Sequence, residues 1–78
     1  MDEVELYNNL KVFRAKHNLT QAELADRIGV TRTSINAIET RRTVPSTILA
    51  LRIAQEFRVS VEELFYLELT PPSAQSDD

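Results

Sequence analysis

Seventy-eight residues leave room for one small domain and a tail, and a chain this short buries only about 60% of its unfolded surface. With no cysteine and a single histidine, the composition excludes disulfides, a thiol nucleophile and a cysteine-based zinc site, and makes a metal cluster or cofactor unexpected. No apolar run approaches the ~20 residues of a membrane span, and the acidic start is unlike a signal peptide, so a soluble, cytoplasmic protein is expected.

The net charge of −3 and pI near 5.1 are unlike a nucleic-acid binder, but the charges are segregated. All nine basic residues lie between positions 9 and 58, against Glu23, Asp26, Glu39 and Glu56. That segment is therefore +5, flanked by acidic ends with Asp2, Glu3 and Glu5 before it and Glu62, Glu63, Glu68, Asp77 and Asp78 after it. The local field governs attraction to a phosphate backbone, so a basic centre between acidic ends remains compatible with nucleic acid.

In chain order, Leu6, Leu10 and Phe13 recur at helical spacing and predict a first helix over roughly 6–18. Asp2, Glu3 and Glu5 would suit its first turn if it starts early, and Asn18 is the expected left-handed residue after it. The next starts are marked more sharply. Thr20 and Glu23 form a capping-box pattern with Leu19 and Leu24 as hydrophobic staple, and Ser60 and Glu63 repeat it with Val59 and Leu64. Thr31 caps a third helix and Ser46 a fourth, after Pro45. Helices over roughly 21–28, 32–39, 47–57 and 61–66 follow, giving an all-α, five-helix domain over residues 1–69. The apolar stretch Tyr66–Leu69 is able to order as a short C-terminal strand. Residues 70–78 form the tail, and PPSAQSDD is expected to be disordered. The expected core is Leu10, Phe13, Leu19, Leu24, Ala25, Ile28, Val30, Ile35, Ile38, Leu51, Ala54, Phe57, Val59 and Leu64.

Gly29, the sole glycine, separates the second and third helices and permits a tight turn through positive φ. On a helical wheel Ser34, Ile35 and Ile38 fall inward, while Arg32, Thr33, Asn36 and Thr40 fall outward. That outward face suits base edges: Asn pairs with adenine, Arg with guanine, and a Thr methyl packs on the thymine methyl. Arg32, Thr33 and Asn36 are the expected base readers. Thr20 and Gln21 open the second helix, where free N–H groups and the positive dipole end favour a phosphate. With Thr31, Thr40, Arg41 and Arg42 they make the expected phosphate-contacting set.

These stretches, LKVFRAKHNLTQAELADRIGV, TRTSINAIE, the Pro45-Ser46 start and VSVEELF, resemble the phage repressor and Cro-type helix-turn-helix family over about Asn9 to Phe65. The resemblance implies a repressor-like five-helix DNA-binding domain, bacterial or phage-encoded, that dimerises on palindromic operators. It also implies that Gln21 contacts phosphate and that Arg14 pairs with Glu39 to tie the first helix to the end of the third. Thr33 stands where many members carry a base-reading glutamine, so the operator does not transfer. Asn18 replaces a common glycine, and Thr40 a frequent Asn or Lys.

Ile48, Phe65, Tyr66, Leu67 and Leu69 exceed what one small domain easily buries. They either cap the monomer core or form a two-fold interface, the reading preferred here. The sequence thus points to a non-enzymatic, sequence-specific regulator of transcription, a repressor acting as a homodimer on double-stranded DNA, with no membrane or small-molecule partner. The alternative is a protein-interaction module, such as an antitoxin subunit or the partner of a larger regulator.

Overall fold

In the computed structural model, which describes residues 3–70, the described residues begin and end as strand. The order is β1 (Glu3–Asn8), α1 (Leu10–Lys16), α2 (Gln21–Ile28), α3 (Arg32–Glu39), α4 (Thr47–Phe57), α5 (Val61–Leu64) and β2 (Phe65–Thr70). The five helices stand where expected, but the first and the last are shorter, the last ending at Leu64 where β2 begins. The anticipated opening turns of the first, from position 6, belong to β1, and α1 starts only at Leu10.

The physical reason is the alternation of Val4 and Leu6 with Glu5 and Tyr7, which has the two-residue period of a strand. Six such residues are not stable alone; their partner is β2, some sixty positions away, paired antiparallel with Leu6 opposite Leu67, Tyr7 opposite Tyr66 and Asn8 opposite Phe65. Directly opposed residues share a face. One face therefore carries Leu6, Leu67, Asn8 and Phe65, and the other stacks Tyr7 on Tyr66 with ring centroids 5.8 Å apart. Glu5 is a strand residue rather than a helix-dipole partner. Asp2 and residues 71–78, including the expected disordered stretch, lie outside the described residues.

Asn8 and Asn9 make the strand-to-helix corner. Asn8 Oδ1 accepts from the Leu10 N–H at 3.1 Å, while its Nδ2 donates to the Ile38 carbonyl at 3.0 Å. The Asn9 N–H donates to the Leu64 carbonyl at 2.8 Å. Two adjacent asparagines thus satisfy backbone groups from three helices that have no partner in their own ladders.

All four predicted caps form. Thr20 and Ser60 each accept the N–H of the glutamate three residues on, whose carboxylate reaches back to the cap N–H. Thr31 accepts from Ser34 N–H, and Ser46 from Leu49 N–H. The Glu23 carboxylate is held below its ordinary pKa chiefly by the backbone N–H of Thr20. Its contribution to stability is present above the ordinary carboxylate value and is lost as pH falls through the lowered one.

The core consists of Leu10, Leu19, Leu24, Ala25, Ile28, Ile35, Ile38, Ile53, Ala54, Phe57, Leu64 and Phe65. Phe13, Val30 and Val59 are only half-buried against it. Leu51, expected inside, is 51% exposed, and Ile53 is fully buried in its stead. In α4 the inward stripe runs through Ala50, Ile53, Ala54 and Phe57, a phase that leaves Ile48 and Leu51 outside.

Asn18 and Gly29 take the left-handed conformation expected of them, with φ of 55° and 76°, and Arg41 and Arg58 join them. A Cβ on Gly29 would meet only Arg52 Nη2, at 3.8 Å. Space is therefore available, and the penalty lies in the backbone alone. Gly29→Ala is expected to lower stability by about 1–2 kcal/mol without altering the fold. Urea unfolding checks this; a larger loss would mean that packing, not φ, selects glycine.

Candidate nucleic-acid interface

The surface of interest is assembled from the start of α2, the outer face of α3 and the loop that follows. Ile35 and Ile38 are buried beneath α3, and their helical spacing turns Arg32, Thr33 and Asn36 to the opposite side. Those three residues line one depression of about 200 Å³. Arg32 and Thr33 are exposed; Asn36 is half-buried. Arg32 also borders a second depression with Thr20 and Gln21, so the start of α2 and the start of α3 adjoin. At Thr20 the hydroxyl oxygen is engaged in capping, which leaves its hydrogen available to an acceptor. The Thr31 hydroxyl is shared between the Ser34 N–H and the Ser34 hydroxyl.

Behind this face lies a polar network. Arg14 donates to both oxygens of Glu39, through Nε to one and through Nη2 at 3.1 Å to the other, and through Nη1 to the Leu19 carbonyl at 2.9 Å. The hydrogen bond to Glu39, rather than charge proximity alone, raises the Arg14 pKa. Gln21, expected to contact phosphate, spends its Nε2 on Glu39 Oε1 at 3.0 Å and on Asn36 Oδ1 at 3.2 Å. The resemblance foresaw the Arg14–Glu39 pair; the extension to Gln21 and Asn36 has no signature in the sequence, because it joins residues fifteen positions apart on different helices.

The loop arginines differ from one another. Arg42 is exposed, and its Nε donates to Thr40 Oγ1 at 3.2 Å. The Thr40 hydroxyl in turn donates to the Asn36 carbonyl at 2.8 Å, so Thr40 closes the end of α3 and orients Arg42. Arg41 is folded back on β1 with its guanidinium 3.9 Å above the Tyr7 ring and 3.1 Å from Glu5 Oε1. Tyr7 first and Glu5 second favour its charged form and raise its pKa. β1 therefore competes for a cation that sequence reasoning assigned wholly to phosphate.

The residues expected at an interface do not share one surface. Phe65 is buried inside the protomer, a correction to that reading: β2 carries it into the core beside Leu64. Tyr66 packs on Tyr7 on the opposite face of the sheet from Leu67. Ile48 and Leu67 are 73% and 67% exposed. Leu69 lies in β2 opposite Val4. Exposed Val4, Val44 and Leu51 border the same region: one depression includes Val4 and Val44, another Leu51, and both include Leu6, Pro45 and Phe65. No helix among the described residues is long and apolar enough to cross a membrane.

A capped short helix, a left-handed glycine turn and a second capped helix with a polar outer face define a helix-turn-helix domain. A family model described as helix-turn-helix matches residues 10–64. The chain belongs to this family, in its Cro/C1 type. It is 49% identical over 61 residues to an uncharacterized HTH-type transcriptional regulator of Methanocaldococcus jannaschii, covering 78% of this chain and 92% of the relative. An uncharacterized HTH-type transcriptional regulator of Bacillus subtilis, YgzD, is 41% identical with the same coverage. Among solved structures, a hypothetical transcription factor from Neisseria is 30% identical with TM-score 0.67, covering 82% of this chain and 69% of that one. A protein of Bacteroides fragilis shares the fold at 23% identity and TM-score 0.71, covering 78% of this chain and 98% of that one.

Proposed function

We propose that this protein is a DNA-binding regulator of transcription that enters the major groove with α3 and represses by occupying a palindromic operator as a homodimer. The observation that carries the reading is the placement of Arg32, Thr33 and Asn36 around one depression on the outer face of α3, next to the N-terminal turn of α2. The relatives named as transcriptional regulators support it. In this reading Arg32, Thr33 and Asn36 meet base edges. Thr20, Thr31 and Arg42 meet phosphates, along with whatever share of Gln21, Thr40 and Arg41 their internal bonds leave free. A gel shift with random-sequence duplexes across a salt series tests it. Retardation at low salt that weakens steeply with added salt is expected. No retarded complex would move the assignment to a protein-interaction module, the reading that the exposed apolar surface favours.

The bond between Glu5 and Arg41 makes a sharper expectation. Glu5→Ala removes the acceptor and the charge that tie the guanidinium to β1, so binding to all sequences should tighten. The slope of log K against log salt should steepen by up to about one unit. An unchanged slope would remove Arg41 from the phosphate-contacting set.

A second copy is the proposed cover for the exposed apolar residues Leu67, Ile48 and Leu51, since a domain this small gains stability from association. Two-fold pairing there would space two α3 helices one DNA turn apart, about 34 Å. Leu67→Lys leaves the buried core untouched and is expected to shift sedimentation from dimer to monomer at micromolar concentration. A wild-type protein that sediments as monomer at high micromolar concentration would remove the homodimer.

A further inference from the structure

The network behind α3 is a chain of hydrogen bonds in which each partner's polarity dictates the next. Arg14 can only donate, and it donates to Glu39. Glu39 can only accept, so the Gln21 atom 3.0 Å from its Oε1 must be Nε2. The second hydrogen of that nitrogen faces the Asn36 amide at 3.2 Å. Were this amide turned over, two NH₂ groups would confront each other with no acceptor between them. Oδ1 of Asn36 is therefore fixed towards Gln21. Its Nδ2 is directed away from Gln21, and Asn36 lines a depression with Arg32 and Thr33. A partly buried ion pair thus sets the orientation of a side chain on the reading face, through one intervening amide.

We propose that Gln21 is a specificity-determining positioning residue, which by holding Oδ1 of Asn36 makes Asn36 offer donors to the groove and select guanine over adenine. The proposal rests on the DNA-reading function above. An unrestrained asparagine suits adenine because its oxygen accepts from N6 while its nitrogen donates to N7. With the oxygen committed to Gln21, the outward NH₂ finds two acceptors on guanine, N7 and O6. On adenine it finds one acceptor beside a donor, and two donors face each other. Thymine O4 offers a single acceptor and a methyl group, so guanine is the better match.

Selection from a randomised duplex pool with the full chain, followed by affinities for all four bases at each selected position, tests this. Asn36→Ala identifies the position that Asn36 reads. There the wild-type protein is expected to favour guanine over adenine by roughly tenfold. Gln21→Met keeps the length of the side chain, removes the donor, and should bring that ratio close to one while preferences elsewhere stay. Asn36→Asp retains an acceptor for Gln21 and turns a second acceptor outward, so the preference at the same position should move to cytosine. If Gln21→Met does not fold, the wild-type choice between guanine and adenine at the position that Asn36→Ala identifies decides alone. A wild-type preference for adenine, or a Gln21→Met variant that weakens every sequence equally as a lost phosphate contact would, overturns the proposal. A pool in which the wild-type protein enriches nothing overturns the DNA-reading function itself.

Discussion

Replacing Glu39 by Ala is expected to destabilise the protein by about 3 kcal/mol, the low end of the cost of leaving a largely desolvated charge without its partner. The Glu39 and Arg14 side chains are 7% and 15% exposed, so water cannot readily replace what is lost. Glu39 accepts from Arg14 twice and from Gln21 once, and these bonds link the first three helices. In a domain of this size the loss corresponds to a fall in Tm of roughly 10–20 °C, measurable by circular dichroism. The double variant Arg14→Met, Glu39→Met should be less destabilised than Glu39→Ala alone, because no desolvated charge is then left unpaired. A loss below about 1 kcal/mol for Glu39→Ala would class the pair with solvent-screened surface pairs and weaken it as an anchor for Gln21.

The phase of α4 yields the second large effect. Ile53→Ala should cost about 2–5 kcal/mol, since a fully buried isoleucine leaves a cavity in a core of twelve residues. Leu51→Ala, two positions away and half exposed, should cost less than about 1 kcal/mol in the monomer. Urea midpoints of the two variants decide the matter: equal losses would mean that the inward stripe of α4 runs differently. Leu51→Ala carries a second readout, because a loss that grows with protein concentration would implicate Leu51 in self-association.

Both predictions concern features that local reasoning reached unevenly. The capping boxes at Thr20 and Ser60, the caps at Thr31 and Ser46 and the turn at Gly29 are each made within a few residues. Side chains there bond only to their own neighbourhood, so local sequence suffices to place the helices. The outward set of α3 was equally legible, since eight residues with two buried isoleucines leave one possible phase. In α4 the apolar residues Ile48, Leu49, Leu51 and Ile53 nearly encircle the helix, and periodicity alone does not say which side is inside.

What the sequence by itself determined about this protein is thus the number of helices, the starts of the last four, the turn and the outward face of α3, along with the segregation of charge that leaves a basic centre. Only the tertiary structure decided the rest. The six residues of β1 are a strand because β2 pairs with them from the far end of the chain, and helical spacing of Leu6 with Leu10 was coincidental. Arg41 is held by Glu5 and Tyr7 only because that strand lies beside the end of α3. Gln21 meets Asn36 only because two helices cross there. Pairings of this kind depend on elements brought together by packing, so no window of local sequence contains them.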